Sequence, residues 1–459
     1  MNNKGIIVNN PNAITGQNIL HASELPRPPI HSILGFGTYW AAPEFARKHI
    51  EKLGERVYIK IPLMPPLLIT SSPADSRAIF TDNTGAIRFG EALRRMAPHE
   101  MVFGSEMIEW WNGANHALLR QKVMPAFGNK ALAGYKDAIL AAAEKRIAEW
   151  PVNKPVQFTS LMKTLARDVI ISVVFGVTEP DRQRRLEEAF IELDNTLVSP
   201  GLIGRYFYGM TRGGKSPRFR KLDSINAKID AITLEEIAYR RNHSNEGNER
   251  KDCLELFLKF QEADTDNLLT DHMLAIFQRL LLIAGYETTA VTMAWMAERL
   301  VRHPDVMDKL EDSLAKGEDD YLDAVIIEVM RLRPALPVTL RYATEDFVMN
   351  DVLVPKGTII VIYINGIQKR EDIYPDALQF KPERFLGVRP DPYRWLPFGG
   401  GAHRCLGGAF AQFEARELMK VILKHRRFKP DNSPDERQDQ HRHILLLPHK
   451  GAMVTLLPR

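Results

Sequence analysis

A cysteine set inside a glycine-rich loop constrains this chain more than any other feature. Residues 395–411 read WLPFGGGAHRCLGGAFA. Consecutive glycines allow a tight loop whose backbone can approach a flat partner without a side chain intervening. A helix is predicted after Cys405, with Ala411, Ala415, Leu418 and Ile422 on one face. Cys405 then sits at a helix N-terminus, where the dipole and the free amides favour a thiolate. Most free cysteines are simply small core residues, and Cys253, in KDCLELFLKF, reads that way. The two cysteines lie far apart, so no disulfide framework is suggested, and a reducing cytoplasm fits. With no C-x-x-C pair and no H-E-x-x-H string, zinc is not expected.

The rest of the chain reads as mainly helical with a minor antiparallel β region. Helical spacing dominates about 105–335 and 405–428, while β-branched, alternating stretches occupy about 55–82, 338–365 and 440–458. Helices are expected over Ala131 to Trp150 and Arg218 to Arg241, the second opened by Pro217 with Ser216 as its cap. Thr270 or Asp271 should cap a long helix that Pro304 stops. Its centre, Leu280 to Ala284, is apolar all round and is expected to cross the core. Another helix should run from Tyr321 to Leu332. Asn350–Asp351 and Pro355–Gly357 supply turns for the small sheet, and the tail HILLLPHKGAMVTLLP reads as a closing hairpin.

Composition excludes several classes. Sixty-one basic against 57 acidic residues give a net charge of +4, too mild and too dispersed to argue for nucleic acid. The start, MNNKGIIVNNPNAITGQ, lacks the charged and apolar regions of a signal peptide, and no apolar run is long enough to suggest a membrane span. A soluble cytoplasmic protein is expected.

Four further patterns carry chemistry. In the long helix, residues 284–289 read AGYETT. A carboxylate and a hydroxyl inside a core helix are costly unless satisfied or used, and Thr288 can bond back one turn and open the helix locally. Glu328-x-x-Arg331 puts opposite charges on one helical face. Alone that is an ordinary surface pair of little worth, but KPERF, with Arg384, follows about fifty residues later. His116 and Arg120 share one face of a helix in WNGANHALLRQKVMPAF. Finally, residues 209–216, GMTRGGKS, satisfy the phosphate-loop pattern. Pro217 follows at once and no magnesium-binding Asp segment is evident, so a cationic loop between helices is the better reading.

Phe398-x-x-Gly401-x-x-x-Cys405-x-Gly407 resembles the haem-binding loop of the cytochrome P-450 family. The other motifs occur in that family's order, and the resemblance runs from about residue 25 to the end. It implies one triangular catalytic unit over 25–459 after an extension at 1–24, binding haem b. Cys405 would be the iron's axial ligand, with Phe398, Gly401 and Gly407 shaping the loop. Thr288 and Glu287 resemble the family's acid–alcohol pair, which helps bind and protonate dioxygen. Glu328, Arg331 and Arg384 would form a structural triad. His116, Arg120, Arg341 and His403 resemble positions that hold the haem propionates, although many members have Arg in place of His403 and Trp in place of His116.

The reaction implied is insertion of one oxygen atom from dioxygen into a small apolar or amphipathic organic substrate. Electrons would come from NAD(P)H through a separate ferredoxin or flavodoxin and its reductase, docking near Arg404, Lys122 and Arg120. Pocket walls are expected near residues 88–105 and 196–215, at Ala284, in the Pro337 to Leu340 turn and near Leu445. A haem-thiolate peroxygenase or a dehydratase or isomerase is the alternative within the fold. A phosphate-loop nucleotide hydrolase acting through Lys215 is a distant one.

Overall fold

The computed structural model describes residues 7–8, 19–28, 43–60, 64–96, 107–197, 217–243, 250–439 and 444–459. The phosphate-loop string with Lys215 and Ser216, and much of the two expected pocket walls in the first half, lie outside these residues. The helices that matter below are, in chain order, α1 (Pro43–Leu53), α2 (Gly113–Val123), α3 (Asn129–Ala148), α4 (Phe158–Ile170), α5 (Pro180–Leu197), α6 (Pro217–Asn242), α7 (Cys253–Glu262), α8 (Asp271–Arg302), α9 (Pro304–Ala315), α10 (Asp320–Leu332) and α11 (Gly408–His425). The strands used below are β1 (Arg56–Ile59), β2 (Leu67–Thr70), β3 (Ile87–Arg88), β4 (Pro155–Gln157), β5 (Thr339–Ala343), β6 (Phe347–Met349), β7 (Val352–Val354), β8 (Ile359–Ile362), β9 (Arg426–Phe428), β10 (Gln438–Asp439), β11 (Leu447–Pro448) and β12 (Met453–Pro458). Two compact units result. One draws on residues 1–97, 327–405 and 437–449, the other on 98–326, 406–436 and 450–459.

The first unit is built on a five-stranded sheet in the order β1-β2-β8-β5-β3. Because strand side chains alternate, Ile360 and Ile362 of β8 enter one apolar cluster with Leu68 and Leu396, while Ile359 and Val361 enter another with Val57 and Leu67. The central strands are therefore buried on both faces, which explains their unbroken Ile/Val/Leu runs. Pairing is antiparallel except at the join of β2 to β8, which is parallel, Leu68 opposite Ile360. The β6–β7 hairpin turns at Asn350, whose φ of 54° is left-handed. The expected closing hairpin does not form: β11 pairs with β10, and β12 lies between β9 and β4. Apolar alternation specifies a strand but not its partner.

A buried ion pair organises the same unit. Glu328 and Arg331, one helical turn apart on α10, are both 0% exposed. All five guanidinium N–H groups of Arg331 have acceptors: two go to Glu328 at 2.6 and 2.9 Å, and three to the carbonyls of Gln368, Ala377 and Gln379 at 2.6, 2.8 and 3.2 Å. Glu328 in turn accepts from the Lys381 amide at 2.9 Å and from Arg384 at 3.1 Å. Gln368 extends the anchorage, accepting the Leu396 amide at 2.7 Å, and the Trp395 indole donates to the Ile327 carbonyl at 3.1 Å. The segment leading into the cysteine loop is thus fixed to α10 by hydrogen bonds.

The second unit surrounds α8. Thr270 caps it, its hydroxyl accepting from the Met273 amide at 3.2 Å, and α9 begins at Pro304 just beyond its end. It is the one described helix long and apolar enough to cross a membrane, and 61% of its most apolar window is buried inside the protein. Gly285 lets α4 come close: a Cβ there would lie 2.7 Å from the Ile170 Cδ1. Contrary to expectation, the Leu280 to Ala284 stretch is not buried all round. Leu282 is buried, Leu280, Leu281 and Ile283 are half-buried and Ala284 is exposed. Cys253 opens α7 and is buried, as its apolar surroundings suggested.

Arg331→Met should destabilise the protein by about 3–5 kcal/mol, because it strands the Glu328 carboxylate in the core. Guanidinium unfolding of the purified protein measures this. A loss below ~1 kcal/mol, the scale of a surface pair, would mean the pair does not hold the segment.

Candidate active site

In the first unit the cysteine loop follows irregular chain at Leu396 and is closed by backbone bonds. The Cys405 amide donates to the Phe398 carbonyl at 2.9 Å, and the Arg404 amide to the Gly401 carbonyl at 3.0 Å. Gly401 is required twice over. Its φ is 69°, and a Cβ would sit 2.7 Å from the Phe80 carbonyl oxygen. Phe398 is half-buried, its ring centroid 5.7 Å from that of Trp395. The loop delivers Cys405 to an exposed position. Cys405 lies ahead of the α11 N-cap, Gly407, rather than within the first turn of the helix.

Arg341, on β5, lies beside this loop. It is 5% exposed, and its guanidinium donates to the carbonyls of Leu340 at 2.7 Å and Gly400 at 3.0 Å. The rings of Phe89 and Phe80 lie 5.2 and 5.4 Å from it. Among the described residues no carboxylate pairs with it, and burial pushes its pKa down to about 10. A buried cation bonded only to neutral oxygens is an incomplete site that calls for an anion. His403 shares the surroundings, its ring 4.9 Å from that of Phe89.

In the second unit α2 carries His116, buried, and Arg120, half-buried. Burial, and then the neighbouring Arg120 charge, hold His116 below its ordinary pKa. The Arg120 charge beside a neutral, donor-capable imidazole again favours an anion. Lys122, expected on a docking surface, is instead engaged by Asp264 at 2.7 Å and Asp266 at 2.9 Å, with its side chain only 18% exposed. That pairing removes it from the basic face; Arg404 is exposed.

The acid–alcohol string lies on the open side of α8. The Thr288 hydroxyl donates to the Ala284 carbonyl at 2.7 Å, the back-bond its position suggested, yet α8 continues unbroken through it. Glu287 meets Lys163 of α4 at 2.7 Å. Lys163, Asp194 of α5 and Tyr286 are neighbours with no sequence signal, since they meet only when three helices pack. Thr289 faces the opposite way and donates at 3.2 Å to Glu414 of α11, which is fully buried. The other Glu414 oxygen has no partner among the described residues, and burial pushes the carboxyl up to about 8.

Glu414 therefore stays protonated in the folded protein where the unfolded chain would ionise. Stability should fall as pH rises from about 4.5 to about 8 and be flat above that, a raised carboxyl binding its proton more tightly when folded. Glu414→Gln should remove that slope and be more stable than the parent at pH 8 by an amount on the order of a few kcal/mol. Equal slopes in denaturant unfolding from pH 5 to 8 would show that Glu414 is not the titrating group.

A family model described as cytochrome P-450 matches residues 26–456. Among curated relatives, cytochrome P-450 137 of Mycobacterium tuberculosis is 32% identical over 413 residues, covering 89% of this chain and 84% of that one. Cytochrome P-450 135A1 of the same organism is 29% identical over 420 residues, covering 92% and 91%. Among solved structures, the retinoic acid-bound cyanobacterial CYP120A1 superposes with a TM-score of 0.74 at 21% identity, covering 91% of this chain and 94% of that one. At that identity the likeness concerns the fold.

Proposed function

The chain belongs to the cytochrome P-450 family, and from that premise we propose that Cys405 is the axial ligand of its haem iron and that the substrate is an apolar or amphipathic organic molecule. Members of the family are haem-thiolate monooxygenases that bind haem b and draw on dioxygen and redox partner proteins. When bound, the haem supplies a thiolate-ligated iron that activates dioxygen.

The observation that carries the assignment of Cys405 is the buried Arg341 guanidinium. It bonds the carbonyl of Gly400 in the very loop that presents the thiol, and among the described residues no carboxylate pairs with it. A haem brings two carboxylates, so a cation beside the cysteine loop suits it. Arg341 and His403, beside the loop, are the groups assigned to those carboxylates; for His116 and Arg120 the same role rests on the family resemblance alone. The loop glycines admit the flat ring by exposing backbone rather than side chain.

Thr288 and Glu287 are assigned to proton delivery. The Thr288 hydroxyl donates its hydrogen bond to the Ala284 carbonyl, so its oxygen is available as an acceptor. It can donate toward the open side of α8 by rotating away from that carbonyl. Glu287 is the adjacent group able to supply the next proton. Glu328, Arg331 and Arg384 hold the loop and take no part in the chemistry. The electron donor is assigned as an external ferredoxin or flavodoxin, with Arg404 on its docking face.

The absorption spectrum of the dithionite-reduced protein, with and without carbon monoxide, tests the ligand. A strongly red-shifted Soret band that Cys405→Ala abolishes is expected; retention of that band in the variant would assign the thiolate elsewhere. Thr288→Ala should divert reducing equivalents from product to hydrogen peroxide by ~10-fold or more, the range of a lost proton-transfer group. Unchanged coupling in that variant would remove Thr288 from the reaction.

A further inference from the structure

Within the first unit, the helix Phe89–Met96 follows β3 directly and packs on β5. Together these elements gather arginines on one face of the sheet. Arg88 of β3 lies opposite Tyr342 of β5. Residues directly opposite in an antiparallel pair share a face. Arg95 stands over the same tyrosine, its guanidinium carbon 4.2 Å from the ring centroid. Two cations therefore flank one ring. Arg88 is exposed, and the Arg95 side chain is 46% exposed. Glu91 lies 3.6 Å from Arg95, longer than a hydrogen bond, and the same carboxylate is shared with Arg94. The Arg88 Nε donates to the Gly85 carbonyl at 3.4 Å, a long bond to a neutral oxygen.

Stacking on Tyr342 occupies the flat face of the Arg95 guanidinium and leaves its N–H edge open. That edge is a planar fork matched to a carboxylate. The anion it suits is not the one assigned to Arg341. Successive strand residues face opposite ways, and Arg341 lies toward Phe80 and the Gly400 carbonyl, whereas Tyr342 faces the other side of the sheet. On the Tyr342 side, Leu93 and Val338 are half-buried at the margin of the cluster that holds Ala92 and Leu340. The fork thus has apolar surface beside it. Glu91 stays near enough to repel a second negative charge, which favours a monoanion over a dianion such as a phosphate ester. Both chain stretches, 88–95 and 338–342, overlap segments expected to wall the substrate pocket.

We propose that Arg95, with Arg88 beside it, determines specificity by receiving the carboxylate of an amphipathic substrate whose apolar body lies along Leu93 and Val338. This rests on the reading of the substrate as an apolar or amphipathic organic molecule, and it gives that molecule an anionic end. Glu91 is the built-in competitor that keeps the fork oriented until the substrate arrives.

The test compares two probes with the same apolar body. The haem-loaded protein is titrated at pH 8 and low salt with dodecanoate and with dodecan-1-ol, and binding is read by calorimetry and by the Soret band. Dodecanoate should bind more tightly by ~5-fold, the factor a partly exposed ion pair carries in an equilibrium. Added salt should shrink the preference, since exposed charges are screened. Arg95→Gln should abolish it and leave the alcohol unaffected, and Arg95→Lys should keep part of it, retaining the charge without the fork. Glu91→Gln, which removes the competitor, should raise affinity for dodecanoate alone. Equal affinities in the parent, or a preference that survives Arg95→Gln combined with Arg88→Gln, overturn the proposal while an amphipathic substrate stands. Calorimetric binding of dodecanoate that leaves the Soret band unmoved also overturns it, because the arginines would then hold anions away from the haem. If neither probe binds to protein with a normal carbon monoxide spectrum, the amphipathic reading falls and this proposal with it. An arginine variant that unfolds is recognised by its lost carbon monoxide spectrum, and Glu91→Gln then decides: unchanged affinity for dodecanoate in that variant overturns the proposal.

Discussion

The fully buried pair of Glu328 and Arg331 is the interaction on which the cysteine loop depends. Two charges taken out of water lose several kcal/mol of hydration each, and the loss is offset only where every donor and acceptor is met. Here the offset is complete on the cation, and the acceptors include three main-chain carbonyls from irregular chain. Such chain, with no ladder partner, would otherwise leave buried polar groups unsatisfied. The guanidinium takes the place of a strand, gathering the carbonyls of Gln368, Ala377 and Gln379 onto one helix. Lysine could not substitute, because a point charge with three donors cannot meet five acceptors in one plane. The loop at Cys405 can therefore be held in place although three consecutive glycines lie within it.

Much of this was legible in the sequence, for reasons that differ by element. The start and end of α8 were readable because caps are local: Thr270 and Pro304 act on residues within one turn. The cysteine loop was readable because its glycines serve a steric need at fixed spacing. Glu328-x-x-Arg331 was ambiguous alone, since burial depends on what covers it, and the covering chain lies near residues 368–384. The open side of α8 was misjudged for a related reason. Apolar residues on every side suit a helix buried in protein and equally one that faces an apolar space. Strand pairing in the tail failed because β11 and β12 join different sheets, and alternation carries no information about partners. The pairings of Lys163, Asp194 and Lys122 left no trace, because each joins residues distant in sequence, and Lys122 was read as a docking residue instead.

The polar groups of α8 and its neighbours show how one helix serves packing and chemistry together. From Thr289 to Val301 the helix is buried without interruption, and Thr289 turns its hydroxyl into the core toward Glu414. One residue earlier, Thr288 lies on the open side and satisfies its hydroxyl within the helix. Adjacent threonines thus have opposite duties because successive residues are turned by about 100° around the axis. The helix needs no break to present a reactive face; it needs only neighbours that leave that face uncovered, and Gly285 lets α4 pack closely beside it, where Lys163 reaches Glu287.

Arg341 and Glu414 are both buried ionisable groups without a charged partner among the described residues, and the contrast between them decides which is informative. Glu414 resolves its burial alone, by keeping a proton, and a neutral acid bonded to Thr289 is a finished structure. Arg341 has no such recourse. Even lowered to about 10 it remains a cation at neutral pH, and its neutral acceptors disperse the charge without cancelling it. A protein gains nothing in stability from a buried charge left unbalanced. Its presence beside the Gly400 carbonyl is therefore accounted for by a partner that brings negative charge to the cysteine loop. The carboxylates of a haem are of that kind, whereas a small apolar substrate would leave the debt of desolvation standing.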